Sequence, residues 1–341
     1  MTLSSILLAV YLAAATPAGP VRVADVISGH IHPSLAVTRG GTLLAVYNKQ
    51  GGGGKELLLC RSSDGGQSWT APVALSGIKQ HSIYPGSLTA LSDGRIVLAW
   101  ACYHGTHDPY FRTVHYCISA DEGSTWNEPR DLPVTDPSKF TALRYPLLEL
   151  SPHQWVWPLY DRTIAFDEES QQILPWGDGR DHGMVPIVRT PHGTLISGAP
   201  YERRGALAGK PGKLVRGLRS TDGGRSWQAL NVFPPFGVAG YDLTVLADGR
   251  VVLTSIIYEK LDQGELAYEL TVSRDDGQTW DAKSAVRIYD PGRRIAGRGW
   301  PRTVRVNQET LGTLFFDLDA DQPGGPGLFF VRTPLAALET K

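Results

Sequence analysis

The sequence has few cysteines, little excess of charge of one sign and few long apolar runs. Each of these features, where it is abundant, indicates a particular class of protein. It contains 3 cysteines among 341 residues, and an odd, small count excludes a framework of paired disulfides. Its formal net charge is −1 at pH 7, so no overall field favours nucleic acid or an anionic membrane. No residues have the spacing of metal ligands. We therefore expect no nucleic-acid partner, no metal and no cofactor.

The longest apolar run opens the chain, between Met1 and Ala18, and is followed by small residues. This order is typical of a secretory signal, and cleavage after Ala15 or Ala18 satisfies the preference for small residues at the cleavage site. The run is too short, and too soon interrupted by Pro17, to be a good membrane span. We expect residues 1–18 to be a signal peptide and the mature chain to be secreted or periplasmic, without a membrane span. Residues 19–341 are expected to form one domain and to be monomeric.

Glycine and proline are plentiful, at 38 and 24 residues, which suits many short strands joined by turns. The pattern Ser-x-Asp-x-Gly-x-Ser/Thr-Trp occurs four times, at Ser62–Trp69, Ser119–Trp126, Ser220–Trp227 and Ser273–Trp280. The intervals between the aspartates are 57, 101 and 53 residues, and 101 is close to two periods. A period near fifty residues indicates a propeller or a solenoid.

The chemistry of these octads is that of a tight hairpin turn. Aspartate and serine side chains bind nearby backbone N–H groups, glycine supplies positive φ, and tryptophan packs under the turn. A single catalytic site does not need four copies, so we interpret Asp64, Asp121, Asp222 and Asp275 as structural.

A second repeat has the form Pro-x-x-Leu followed by a glycine turn and an apolar strand. It begins six times, at Pro33, Pro85, Pro146, Pro186, Gly240 and Pro301. Each unit is interpreted as strand, turn, strand and a third strand that leads into the octad. The ring must close to leave no sheet edge exposed, so we expect residues 21–27 to pair beside residues 328–332 as the outer strand of the last unit.

The four octads resemble the Asp-box, or BNR, repeats of the sialidase superfamily, whose members are six-bladed β-propellers. The resemblance covers nearly all of the mature chain. It implies an all-β fold, a single sialidase-like six-bladed β-propeller with Asp-box hairpins.

In such a fold the first strand of each blade lines a central channel. Residues just before first strands and just after second strands then converge on one face. Reactive side chains recur at these positions in all six units, which predicts a ligand site there. The first group includes His32, Tyr84, Arg144, Tyr145, Asp181, Tyr241, Asp242, Arg298, Trp300 and Arg302, and the second includes Asp161, Glu202, Glu259 and Asp317.

The resemblance implies a tyrosine nucleophile, an acidic group that activates it, an acid/base aspartate and arginines on the substrate carboxylate. The stretch Gly240-Tyr-Asp-Leu243 is similar to the family's nucleophile segment, which assigns Tyr241 as nucleophile with Glu202 as the better base and Glu259 as the second. Asp161 or Asp181 would protonate the leaving oxygen. The carboxylate would be held by Arg144, Arg216 and Arg302, with Arg298 a further candidate.

Three departures from the family pattern bear on activity. The family's Arg-Ile-Pro is replaced by His30-Ile-His-Pro33, so that His32 stands in place of the first arginine. Residues 48–56 contain no aspartate where the family's acid/base group is expected. Tyr241 also precedes the segment of Arg298, whereas the family's tyrosine comes last.

The leading hypothesis is an exo-glycosidase that hydrolyses a terminal acidic sugar, sialic acid or a related one, with retention through a tyrosine nucleophile. One alternative is a polysaccharide lyase, with a base such as His32, His81, His182 or Tyr241 and an arginine on a uronate carboxylate. Another is a glycan-binding propeller without catalysis, in which Trp176 and Trp300 stack on sugars. All three expect a glycan partner.

Overall fold

The computed structural model describes residues 16–26, 32–48, 56–75, 83–103, 111–134, 143, 145–159, 162–177, 186–207, 210–230, 236–237, 241–258, 265–293, 295, 300–318 and 325–339. These residues form 25 β-strands and two short 3-10 helices, Ala282–Ser284 and Leu335–Leu338. The all-β prediction is confirmed.

The strands form six antiparallel sheets, and each sheet is one blade. The strands follow in chain order from the axis outwards in blades 1 to 5, and the outer strand of blade 6 comes from the start of the chain. Blade 1 contains β2 (Ser34–Val37), β3 (Leu43–Asn48), β4 (Leu57–Ser62) and β5 (Val73–Ala74). Blade 2 contains β6 (Ile83–Ala90), β7 (Ile96–Tyr103), β8 (Phe111–Ser119) and β9 (Arg130–Asp131). Blade 3 contains β10 (Leu148–Ser151), β11 (Gln154–Pro158), β12 (Thr163–Asp167) and β13 (Gln172–Leu174).

The second half of the ring has the same plan. Blade 4 contains β14 (Val188–Arg189), β15 (Leu195–Leu207), β16 (Lys210–Ser220) and β17 (Gln228–Ala229), and β18 (Phe236–Gly237) also pairs with β16. Blade 5 contains β19 (Tyr241–Val245), β20 (Val251–Tyr258), β21 (Glu265–Ser273) and β22 (Val286–Tyr289). Blade 6 contains β23 (Arg302–Arg305), β24 (Thr310–Asp317), β25 (Gly327–Pro334) and, as its outer strand, β1 (Val21–Asp25).

The pairing of β1 with β25 closes the ring. Val21 lies opposite Phe330 and Asp25 opposite Gly327 in an antiparallel register. The expected closure is therefore confirmed, and the edge that an open ring would expose is covered.

The hydrophobic core lies between neighbouring blades, in six clusters that correspond to the six blade interfaces. Strand β3 shows how one strand serves two of them. Leu43, Ala45 and Tyr47 pack in the cluster shared with blade 6, and Leu44 and Val46 pack in the cluster shared with blade 2. Because successive side chains of a strand point to opposite faces, every buried strand needs apolar residues on both faces.

The octads form the turns between third and fourth strands, as their composition predicts. In the first, Asp64 Oδ1 accepts hydrogen bonds from Ser62 Oγ at 2.8 Å and the Ser68 backbone N–H at 3.0 Å, while Oδ2 accepts one from Ser68 Oγ at 2.5 Å. The other three octads repeat this arrangement. Hydrogen bonds from Ser226 and Ser220 lower the pKa of Asp222 to about 2, because they favour the ionised carboxylate. These aspartates are structural.

Cysteines and glycines serve this packing. Cys60 and Cys117 are buried as free thiols, as expected from their positions before octads. Gly66 has φ +88°, and a Cβ there would overlap the ring of Phe330 in blade 6. Glycine is required at this turn for its backbone conformation and for the close approach of the neighbouring blade.

We call the face that carries the octads the lower face, and the face at which the first strands begin the upper face. On the lower face, a carboxylate from one blade binds the preceding blade. Glu122 of the second octad accepts hydrogen bonds from Gly40 N at 2.6 Å and Thr38 Oγ1 at 3.1 Å. Asp276 of the fourth octad accepts hydrogen bonds from Thr194 Oγ1 and from Arg219 at 3.1 Å. These contacts join blade 2 to blade 1 and blade 5 to blade 4, so they fix neighbouring blades against each other.

Candidate functional site

A cavity of about 450 Å³ runs along the axis and is lined by the first strands of all six blades. Each first strand contributes at least one residue: Leu35, Leu88, Leu148, Val188, Leu243 and Val304. The blades therefore surround one common axis, and residues far apart in sequence become neighbours at its two ends.

Six side chains meet where the first strands begin, at the upper end of this axis, and we call them the axial cluster. His32 lies two residues before β2, Tyr145 three before β10 and Trp300 two before β23. Tyr241 and Asp242 open β19, and Arg302 opens β23. The cluster thus combines blades 1, 3, 5 and 6, at the positions where the sequence pattern predicts a site.

Aromatic contacts hold the cluster together. The ring centroids of His32 and Trp300 are 4.4 Å apart, and those of Tyr145 and Trp300 are 6.3 Å apart in an edge-on arrangement. Tyr145 also lies 6.4 Å from the Tyr241 ring and donates a hydrogen bond from its hydroxyl to the Tyr241 carbonyl at 3.0 Å. Such contacts bind rigid groups from four blades with defined geometry.

A buried ion pair completes the cluster. Arg302 Nη1 lies 2.5 Å from Asp242 Oδ1, and the backbone N–H of Thr303 donates to Asp242 Oδ2 at 2.7 Å. The Arg302 guanidinium also lies 5.5 Å from the centre of the Tyr145 ring, within reach of a cation–π contact. Burial raises the pKa of Asp242, and the Arg302 charge and the Thr303 N–H oppose this shift.

The structure places Tyr241 differently from the open position expected of a nucleophile. Its side chain is 0% exposed and packs with Ile196 and Leu243 between blades 4 and 5. Burial raises the pKa of the phenol well above its ordinary value, and the charges of Tyr145 and Asp242 raise it further. The phenol is therefore a poor nucleophile until a base removes its proton.

Trp300, Arg302 and His32 are also buried, whereas the sequence pattern predicted that they contact substrate. Trp300 is 7% exposed and is covered by His32 and Tyr145, and Arg302 is 6% exposed and bound to Asp242. Here these side chains form the floor beneath the upper face. Trp176, the other proposed sugar platform, packs against Trp227 of blade 4 at 6.2 Å.

Three predicted site residues have a described backbone, with side chains outside the described part of the structure. Glu202 lies in β15 opposite Lys213, and Arg216 lies in β16 opposite Ala199. Both strands belong to blade 4, next to the blade that carries Tyr241. Tyr84 lies in β6 of blade 2.

The other predicted site residues are Arg144, Asp161, Asp181, Glu259 and Arg298, and they lie outside the described residues. Their neighbours along the chain are described. Arg144 directly precedes Tyr145 of the axial cluster, and Glu259 directly follows β20, in which Ser255 lies opposite Tyr241.

Sequence reasoning missed the pairing of Asp242 with Arg302. A signal was present, because the two residues stand near the start of the first strand in consecutive blades. Facing positions on neighbouring first strands are close enough for direct contact, and a carboxylate and a guanidinium placed there will bind each other.

Among the described residues, no group of three or more histidine, cysteine or acidic side chains is arranged to hold a metal ion. The same part of the chain contains no helix that is long and apolar enough to cross a membrane.

Known proteins resemble this chain in fold, at low sequence identity. No family model matches the sequence, and no curated protein sequence matches it. A protein of unknown function from Dyadobacter fermentans superposes with a TM-score of 0.69 at 15% identity, over 94% of this chain and 99% of that one. The Hadza microbial sialidase Hz136 gives a TM-score of 0.66 at 16% identity, over 90% of this chain and 66% of that one. The α-L-arabinofuranosidase Arb93A from Fusarium graminearum gives a TM-score of 0.66 at 12% identity, over 96% and 100%.

These neighbours include enzymes that act on different sugars, and the identities are low. The similarity therefore defines architecture and leaves the substrate open. The chain has the six-bladed β-propeller fold that sialidases share.

Proposed function

We propose that the chain is a glycoside hydrolase that removes a terminal acidic sugar at the upper face of the propeller. The observation that carries the proposal is the axial cluster, in which four blades bring an arginine, a carboxylate, a histidine and three large aromatic rings to one end of the axis. A rigid floor of this kind can hold the surrounding side chains in fixed positions, as catalysis requires. The sugar-cleaving neighbours with the same fold support it.

In this proposal the substrate carboxylate is held by arginines above the floor. Arg302 already binds Asp242, so its part is to position the cluster. Arg144 and Arg216 remain as carboxylate ligands, with Arg298 a further one. A guanidinium is suited to this task because its planar fork makes two parallel bonds to a carboxylate.

The proposed chemistry proceeds through Tyr241 and requires its hydroxyl, which is buried in this structure, to become accessible from the upper face. Its oxygen attacks the anomeric carbon while a carboxylate takes the phenolic proton, and Glu202 or Glu259 is assigned as this base. Asp161 or Asp181 gives a proton to the leaving oxygen. Water then displaces the tyrosine: the same aspartate takes a proton from the water, and the carboxylic acid returns the phenolic proton to the tyrosine oxygen. The sugar leaves with retained configuration. A neutral nucleophile suits an anionic substrate, since it avoids repulsion between two negative charges.

The test is release of the fluorophore from a fluorogenic sialoside. We expect Tyr241→Phe to lower kcat by about 10³-fold or more, the size of effect expected when a covalent nucleophile is removed. Arg216→Ala is expected to raise KM. Tyr268→Phe is the matched control, because Tyr268 is equally buried in blade 5 but packs towards blade 6. Full activity of Tyr241→Phe disproves the assignment of the nucleophile.

The burial of Tyr241 favours a second candidate function, glycan binding without turnover. In that case Tyr241→Phe leaves glycan binding unchanged, and no glycan is cleaved by either protein. The lyase alternative has its own readout, because elimination from a uronate creates a double bond that absorbs at about 230 nm, while hydrolysis creates none.

Action on glycans outside the cell agrees with the export signal expected over residues 1–18, most of which lie outside the described residues. N-terminal sequencing of the protein recovered from its producing cells tests this expectation. An amino terminus at Thr16 or Gly19 is the expected result.

A further inference from the structure

The axial cavity below the cluster carries more positive than negative charge. Three arginines line it, Arg189, Arg302 and Arg305, against a single glutamate, Glu149. Asp242 balances Arg302. One positive charge in the cavity therefore has no negative partner among the described residues.

Arg302 lies at the upper end of the cavity, where its guanidinium binds Asp242 and is 6% exposed. Its Nε is shielded from solvent. An anion in the cavity is larger than water and does not reach this atom, so Arg302 contributes its charge and makes no hydrogen bond to a ligand there.

The lower end of the cavity has two arginines with donors to spare. Arg189 donates from Nη1 to the Leu150 carbonyl at 2.9 Å, and Arg305 donates from Nε to the Asn307 carbonyl at 3.0 Å. A guanidinium has five N–H donors, so both side chains keep several for a ligand. Glu149 is the acidic residue of the lining, and its two oxygens accept hydrogen bonds from the backbone N–H and the hydroxyl of Ser92.

The lower end is also open. Arg189 and Arg305 line a second, solvent-open cavity on the lower face together with Val245, which also lines the axial cavity. The two spaces therefore adjoin at the lower ends of the first strands of blades 4, 5 and 6, on the face opposite the proposed glycan site.

We propose that the axial cavity binds a small monovalent anion, a halide or a carboxylate, at its lower end beside Arg189 and Arg305. A volume of about 450 Å³ holds such an anion with part of its hydration shell. One negative charge neutralises the unbalanced positive charge, and the remaining N–H donors of Arg189 and Arg305 make charge-assisted hydrogen bonds to it. This site is separate from the proposed hydrolase site and does not depend on it.

The first experiment is diffraction from crystals soaked in sodium bromide, at a wavelength at which bromine scatters anomalously. The expected result is a bromide peak inside the axial cavity, within hydrogen-bond distance of an arginine. A second soak adds sodium acetate. If acetate replaces bromide and the bromide peak disappears, the preferred ligand is a carboxylate. If the bromide peak remains, the preferred ligand is a halide. A wild-type crystal with no anion in the cavity overturns the proposal.

The second experiment measures affinity in solution by calorimetric titration of sodium bromide into three proteins. The double variant Arg189→Gln/Arg305→Gln is expected to bind at least about tenfold more weakly than wild type, the change expected for loss of one charge-assisted hydrogen bond. Arg225→Gln is the matched control, because it removes an exposed positive charge from an octad outside the cavity. We expect its affinity to stay within about twofold of wild type. Equal affinities for the double variant and the control overturn the proposal.

Discussion

The buried pair of Asp242 and Arg302 makes a quantitative prediction about stability. Asp242 is fully buried, and Arg302 is 6% exposed. Changing Asp242 to asparagine keeps an oxygen that accepts the Thr303 N–H, so the main loss is the negative charge. Unit charges about 4 Å apart interact by about 4 kcal/mol at an effective dielectric of about 20. Breaking a buried pair typically costs about 3–5 kcal/mol, since the remaining charge stays desolvated. We expect Asp242→Asn to lower the free energy of unfolding by that amount.

The reverse change, Arg302→Met, is expected to behave differently with pH. It leaves a buried carboxylate whose pKa is already raised by burial and loses its opposing positive charge. That carboxylate can become neutral by taking up a proton. The arginine that remains in the Asp242→Asn variant cannot become neutral, because it does not release its proton. A raised folded-state pKa means that stability falls as pH rises from the unfolded pKa towards the folded one. Arg302→Met should therefore be less destabilised at pH 5 than at pH 8.

The assay is urea unfolding followed by tryptophan fluorescence, for wild type, both single variants and the double variant. Each single variant exposes the cost of one unpaired group, so the double variant should lose at least about 2 kcal/mol less than the sum of the two. Arg287→Met is the control, because the pair of Arg287 with Glu269 is half exposed and is expected to contribute about 0–1 kcal/mol. Additive losses, or an Asp242→Asn variant within 1 kcal/mol of wild type, refute the reasoning.

Three further predictions concern the lower face. Asp276→Asn should cost about 1–2 kcal/mol in urea unfolding, because it weakens hydrogen bonds to blade 4, whereas Glu309→Gln at an exposed turn should be neutral. Asp222 has a folded pKa of about 2, so its stabilising effect is present above the unfolded pKa of about 4 and is lost as pH falls towards 2. The thermal midpoint of the Asp222→Asn variant should therefore fall less steeply than that of wild type over this pH range. An unchanged slope contradicts the assignment. Gly277→Ala should cost about 2–3 kcal/mol, because φ is +79° and the added Cβ overlaps a side chain of blade 4. Gly41→Ala has a similar φ with open space around it, and should cost less.

The architecture was predictable because its signals are local and repeated. The octads recur at intervals of 57, 101 and 53 residues, close to one or two periods. The six starts of the second repeat lie within three residues of the first strands, as with Pro33 before β2 and Pro301 before β23. Closure by β1 followed from the need to cover a sheet edge. Each of these inferences rests on turn chemistry or on alternation along a strand, which the sequence displays directly.

The sequence indicated where along the strands the candidate site lies, but it did not indicate which of the site's side chains are exposed. The start of a first strand is near the axis, but whether a side chain lies on the surface or between blades depends on a shift of one residue in the pleat. Tyr241 and Asp242 are adjacent, yet one faces blade 4 and the other faces blade 6. Arg302 was expected to bind substrate, and its burial follows from the position of Asp242 on the neighbouring blade.

Closure of the ring by β1 has a consequence for synthesis on the ribosome. The first strand to emerge can acquire its hydrogen-bonding neighbour, β25, only when nearly all of the chain has been made. Until then the nascent polypeptide presents an unpaired β-edge at either end, a form prone to association with other chains. In a circular permutant, the native ends are joined through a short linker and the chain is opened between two other blades. Every sheet should then form soon after its own residues have been synthesised. Comparison of soluble yields from the natural and rearranged orders would show how strongly late closure limits production.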